Sequence, residues 1–149
     1  MILVNYRLFV IKFKLLLEEF QNLRMSSLVI LSTILITLAL AFYSVGVWSE
    51  RISKYLKFWH TVTFWIGLGF DISGTYTMHL IAKSPFNILE PHTLTGQIAL
   101  WLMFIHTIWA TCVIIQKDES IKNKFHKFSI VVWCIWLIPY FGGMYLGMK

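Results

Sequence analysis

Four long apolar segments, separated by short polar stretches, dominate the pattern of this chain. They cover residues 26–48, 58–82, 93–115 and 128–146. Each is close to the length of about twenty residues that an α-helix needs to cross about 30 Å of hydrocarbon. Because the connecting stretches are short, we expect successive helices to be antiparallel neighbours. The pattern predicts an all-α fold in which residues 25–149 form a four-helix transmembrane bundle.

The composition supports a membrane protein and argues against other classes. The chain is 58% hydrophobic and only 13% charged, and it contains seven Trp, six Tyr and twelve Phe. This is too apolar for an ordinary soluble domain, and it suits a protein with aromatic belts at the membrane surfaces. The net charge is +6, but the basic residues lie in short connections between apolar segments. We therefore expect a lipid bilayer as partner and no nucleic acid.

The distribution of Lys and Arg predicts the orientation in the membrane. Seven basic residues lie in the connections after the first and third segments, whereas the connection after the second holds only Lys83. Basic connections usually remain in the cytoplasm. The predicted location is the cytoplasmic membrane, as a multi-pass protein with both termini outside. The seven residues are Arg51, Lys54, Lys57, Lys117, Lys122, Lys124 and Lys127.

Residues 1–24 have two interpretations. The string LFVIKFKLLLEEF mixes apolar and charged residues, as in an amphipathic helix that lies on a membrane surface. The alternative is a mis-assigned start, with translation beginning at Met25.

The histidines are the strongest indication of chemistry. His92 and His106 are fourteen residues apart, which is about four helical turns, so both face the same side of one helix about 21 Å apart. Ionisable residues within a membrane are costly, and they are functional hypotheses by default. Depth along the helices predicts an inner cluster of His60, His106 and His126, and an outer pair of His79 with His92. His106 is expected about 10 Å deeper than the other two inner residues, so His60 with His126 is an alternative pair.

Each histidine also has a structural interpretation. His60 can anchor its helix at the membrane interface, and His126 can be solvated in a basic connection. His79 and His92 flank the outer connection and can be exposed to solvent. His106 lies deep in LWLMFIHTIWAT, where a hydrogen bond to another helix would satisfy it.

Three further positions lie on one face of the second segment. Gly67 and Gly74 can let a helix or a flat cofactor approach closely. Asp71, between them, would be strongly disfavoured as an unpaired anion. It can orient a ligand histidine or relay protons, or it can form a structural hydrogen bond between helices together with Ser73 or Thr75.

Several strings resemble a known family. YSVGVWSERI, FWHTVTFWIGLGFDISGT, HTLTGQIALWLMFIHTIWAT and KFHKFSIVVWCIWLIPY resemble the HsmA family of small four-span bacterial membrane proteins. The resemblance covers essentially all of the chain after Met25, and the family's short N-terminus favours a start there. It implies association with haem and a role in haem handling and protection from oxidative stress. The positions that match the family pattern are His60, Asp71, His92, His106 and His126, whereas His79 is not part of it.

The combined prediction is a cytochrome b-like bundle that binds haem b through His106 together with His60 or His126. His92, Asp71, Gly67 and Gly74 complete the predicted cofactor-binding set. The expected role is haem sequestration or one-electron transfer, with a homo-oligomer or a redox protein as possible partner. Two other functions stay open: a small proton-coupled transporter that uses Asp71 and His106 as relay groups, and a membrane subunit of a larger redox complex.

Overall fold

Within the described parts of the chain, the protein is entirely helical. A computed structural model describes residues 2–81, 90–116 and 119–147, with the side chains in these ranges except those of 2–10, 119–124 and 126. These ranges contain four helices and no strand, so the predicted all-α fold with four helices is confirmed. The helices are α1 (Ile2–Ser53), α2 (Phe58–Ile81), α3 (Pro91–Gln116) and α4 (Glu119–Gly147).

The four helices form a ring of neighbours. α1 packs most extensively on α2 and α3 on α4, while smaller contacts join α2 to α3 and α1 to α4. This is the arrangement that the short connections predicted for an antiparallel bundle.

Three of the four helices are long and apolar enough to cross a membrane, judged on the described residues. They are Ile11–Ser53, Pro91–Gln116 and Lys127–Gly147. α2 has 24 residues and carries buried polar residues, His60, Thr61, Asp71 and Thr77. Polar side chains that face neighbouring helices lower the mean hydropathy of a membrane span without being exposed to lipid. That α2 is the fourth span, and which way the bundle faces, stay predictions.

The outer surface of the bundle is apolar. Trp101, Ile105 and Ile138 are each about 60% exposed, and many other large apolar side chains accompany them. So large an apolar surface is unusual for a soluble monomer. It is what a bundle surrounded by lipid requires.

α1 is longer than the bundle. Its 52 residues correspond to about 78 Å at 1.5 Å per residue. The described side chains of residues 11–24 are all exposed, and the helix runs without a break through Met25. Whether this stretch lies on the membrane surface stays a prediction.

Two glycines allow α1 and α2 to approach closely. A Cβ atom on Gly67 would lie 2.7 Å from Cδ1 of Tyr43, and one on Gly74 would lie 2.7 Å from Cδ1 of Ile36. Both distances are too short for real carbon contacts. These positions were predicted to admit either a helix or a flat cofactor, and in the structure a helix fills the space.

The local sequence explains where α2 and α3 begin. α3 starts at Pro91, because a proline at the first helical position already has the required φ and lacks an N–H that would be unpaired there. At the start of α2, Nδ1 of His60 accepts a hydrogen bond from the backbone N–H of Lys57, with an N–N distance of 3.1 Å. A side chain at the third helical position often satisfies the free N–H of the residue before the helix in this way.

Candidate functional site

A cavity of about 880 Å³ opens between the helices toward the ends of α2 and α4. All four helices line it, and its walls are mostly apolar. On α2, α3 and α4, the lining residues farthest from those ends are Asp71, Leu100 and Trp136, which we call the floor. We call the part of the bundle that holds the cavity the cavity half. The remaining part, between the floor and the turn at residues 54–57, is the turn half.

The carboxylate of Asp71 is held by two hydrogen bonds from other helices. The hydroxyl of Tyr43 on α1 donates to Oδ2 at 3.2 Å, and Nε1 of Trp136 on α4 donates to the same oxygen at 2.9 Å. The Tyr43 and Trp136 rings also meet edge to face, with centroids 5.3 Å apart. Asp71 is only 3% exposed. The carboxylate therefore links three helices and has a defined orientation.

The predicted structural role of Asp71 is right in kind, but its suggested partners are wrong. The hydroxyl of Ser73 donates to the backbone carbonyl of Gly69 on its own helix. Thr75 lines the cavity and forms no hydrogen bond with Asp71. Hydroxyls close in sequence compete for backbone carbonyls one turn away, whereas the donors for Asp71 come from other helices.

His92 lines the cavity and packs against α4. A Cβ atom on Gly143 would lie 3.0 Å from Cε1 of His92, so the glycine makes room for the ring. Nδ1 of His92 is buried and has no hydrogen-bond partner. His79 and Glu90 also line this cavity. The predicted outer pair of His79 and His92 therefore lies on one cavity.

His106 lies in the turn half among aromatic rings. Its ring stacks on Phe125, with centroids 4.8 Å apart and planes 14° apart, and it meets the Phe64 ring edge-on at 5.0 Å. Nε2 lies 3.3 Å from Oγ of Ser129, and Nδ1 is buried without a partner. An iron about 2 Å from Nε2 would have to displace Ser129.

His60 is fully buried at the start of α2. Because Nδ1 accepts the N–H of Lys57, the proton of the neutral ring lies on Nε2, which has no partner. Binding a metal through Nε2 would move that proton to Nδ1 and break the hydrogen bond at the helix start. Phe64, whose ring meets that of His106, lies one turn after His60 on α2. The predicted depth difference of about 10 Å between the two histidines stays a prediction.

The predicted metal cluster is incomplete in the described part of the chain. The side chain of His126 lies outside the described residues, so its position relative to His60 and His106 stays a prediction. Among the side chains that are described, no group of three or more His, Cys, Asp or Glu residues could hold a metal ion. Neither His60 nor His106 lines the cavity.

Three buried residues that can form hydrogen bonds were not predicted to matter. Tyr43 and Trp136 donate to Asp71. The available signals were that a buried carboxylate needs a donor such as a Tyr hydroxyl and that a Trp N–H deep in a span needs an acceptor. Glu50, which the sequence pattern did not single out, is 1% exposed. Gly67 lies against Tyr43, and Gly74 lies against Ile36. If this antiparallel register of α1 and α2 is extended to the end of α1, Glu50 lies level with His60.

Comparison with protein-family models, with curated proteins and with solved structures finds no match for this chain. Membership of the HsmA family therefore stays a prediction.

Proposed function

We propose that this chain is an integral membrane protein that binds haem b in the cavity and serves in haem sequestration or one-electron transfer during oxidative stress. The observation that carries the proposal is a histidine of the predicted haem-binding set, His92, on the wall of a large apolar cavity in a bundle with membrane-type helices. A small proton-coupled transporter and a membrane subunit of a larger redox complex stay open as alternative functions.

The size and lining of the cavity suit a large flat cofactor. A volume of about 880 Å³ falls in the range of about 300–1,000 Å³ for sites that enclose small molecules. The walls include Gly96, Ala99 and Gly143, whose small side chains leave the space open. Mostly apolar walls keep water from the occupant, which favours retention of a hydrophobic macrocycle.

Among the described histidines of the predicted haem-binding set, His92 is the best placed to hold the cofactor. It lines the cavity, whereas neither His60 nor His106 does. By contrast, ligation by His60 would disrupt the start of α2, and ligation by Nε2 of His106 would displace Ser129. We therefore prefer His92 to the pair of His106 with His60 or His126 as the site of ligation.

The chain and the cofactor would have separate roles. Haem, when bound, supplies one-electron exchange and an iron that can bind small oxidants. The protein would supply an imidazole and mostly apolar walls. With His92 as the one histidine preferred for holding haem, we would expect a high-spin spectrum.

The test is the absorption spectrum of the full-length protein, purified in mild detergent from haem-replete cells. We expect a Soret band with broad high-spin features. His92→Ala should lose the band, and the matched variant His106→Ala should retain it.

The opposite results separate the alternatives. A band that survives His92→Ala and disappears in His106→Ala would move the haem to the turn half. Colourless protein from haem-replete cells would remove the haem proposal altogether.

A further inference from the structure

We propose that the cavity also binds lipophilic cations, with an organic ammonium or phosphonium group next to Asp71 and an apolar body between the helices. This inference concerns the haem-free protein and does not rest on the haem proposal. Because both ligands would use the same volume, they would exclude one another.

The first argument is the unused oxygen of Asp71. Tyr43 and Trp136 both donate to Oδ2, and no described residue donates to Oδ1. Asp71 lines the cavity, so an occupant can reach the carboxylate from that side. Asp71 is only 3% exposed and lines a mostly apolar cavity, so a cation or a hydrogen-bond donor beside its carboxylate would offset the cost of burying the charge.

The second argument is the sign of the charge around the cavity. The ionisable side chains that line it are Asp71, Glu90, His79, His92 and the phenols Tyr76 and Tyr140. The lining, taken from the described residues, contains no Lys or Arg. The two carboxyl groups are the sources of negative charge, and no Lys or Arg on the described walls competes with an incoming cation.

The third argument is the aromatic content of the wall near the floor. Trp136 and Tyr140 both line the cavity and stack on each other with centroids 5.7 Å apart. Aromatic faces attract organic cations, most strongly when water is excluded. Since Trp136 also donates to Asp71, the carboxylate and an aromatic surface lie side by side.

The same features argue against an inorganic ion. Hard divalent cations require about six to eight oxygen ligands, and the described residues contain no group of three or more candidate ligands. One carboxylate, aromatic rings and apolar walls such as Ile36, Ile72 and Leu100 suit a diffuse charge on an apolar body.

The experiment measures binding of tetraphenylphosphonium to the full-length, haem-free protein in lipid nanodiscs by equilibrium dialysis. Tetraphenylborate, which has the same shape and opposite charge, is the matched probe, and empty nanodiscs supply the background. We expect saturable binding of the phosphonium at one site per chain and no saturable binding of the borate.

Asp71→Asn keeps the shape of the side chain and can still accept hydrogen bonds from Tyr43 and Trp136. It should weaken phosphonium binding by about tenfold or more, because a charged contact is replaced by a neutral one. The control is Glu50→Gln, which neutralises a carboxylate that is equally buried but belongs to the turn half. It should change the affinity by less than about twofold, since Glu50 does not line the cavity.

Unchanged phosphonium affinity in Asp71→Asn would overturn the proposal, as would saturable binding of both probes to the unsubstituted protein. The comparison of the two probes needs no variant, so it decides the question even if Asp71→Asn does not fold. Phosphonium binding by protein that never shows a Soret band would overturn only the haem proposal. A Soret band without phosphonium binding would overturn only this one.

Discussion

The two halves of the bundle enclose similar polar residues in different ways. In the turn half, the rings of Phe64 and Phe125 pack directly on His106, and all three are almost completely buried. In the cavity half, Asp71 and His92 lie on the wall of a cavity of about 880 Å³. A buried histidine is therefore not by itself a ligand site. It becomes one only where the neighbouring side chains leave space for the ligand.

The largest expected difference in stability between the halves concerns their aromatic residues. Phe125 is fully buried against His106 and Trp109, whereas Tyr140 is only partly buried on the cavity wall. Phe125→Ala should lower the free energy of unfolding by about 3 kcal/mol, the low end for buried aromatic truncations, because lipid rather than water competes for the apolar surface.

Tyr140→Ala, which enlarges an existing cavity, should cost less than half of that. Chemical unfolding in mixed micelles measures both variants. Equal losses would contradict the difference in packing between the two halves.

The next difference concerns glycines. Gly67→Ala would bring a methyl group to 2.7 Å from the Tyr43 ring, whose hydroxyl is held by Asp71. We expect a loss of about 1–3 kcal/mol from this overpacking.

Gly96 is the matched control, because it lies inside α3 on the cavity wall and a Cβ atom there would have no neighbour within 4 Å. Gly96→Ala should raise stability by up to about 1 kcal/mol, since alanine is the better helix former. Thermal unfolding of the two variants checks the sign. A destabilising Gly96→Ala would show that the wall is more crowded than the structure indicates.

The smallest expected difference concerns two histidines. His60→Ala removes the acceptor for the backbone N–H of Lys57 and should lower stability by about 1 kcal/mol, as for other lost caps at the start of a helix. His92→Ala removes a ring with an unpartnered Nδ1 and should change the stability of the haem-free protein by a smaller amount. The melting temperatures of the haem-free variants check this order, and a larger decrease for His92→Ala would assign that ring a structural role.

Much of the architecture was predictable because it depends on local pattern. Runs of about twenty apolar residues form helices wherever backbone hydrogen bonds cannot be made to water, and short connections make those helices neighbours. α2 and α3 begin and end within two residues of the predicted segments, whereas α4 begins nine residues earlier than predicted, at Glu119, and α1 is longer at both ends. There the mixed composition of residues 1–24 suggested a separate surface element, whereas the described helix is continuous.

The candidate site was predictable only in part. The depth argument placed His79 and His92 at the same end of the bundle, where both line the cavity, and the cost of burying a charge indicated that Asp71 needs partners. The helix period along α2 could not identify those partners, because Tyr43 and Trp136 are 28 and 65 residues away. Nor could it show that Tyr43 and Ile36 would fill the space beside Gly67 and Gly74.

Apolar length and helical period, which are properties of the chain alone, thus determined that this protein is a bundle of long helices with a few ionisable groups inside. Only the packing of four helices decided which of those groups are enclosed by aromatic rings and which border open space. The physical reason is that a side chain's surroundings in a bundle come mainly from other helices, whose rotation and register are set by the close fit of whole surfaces.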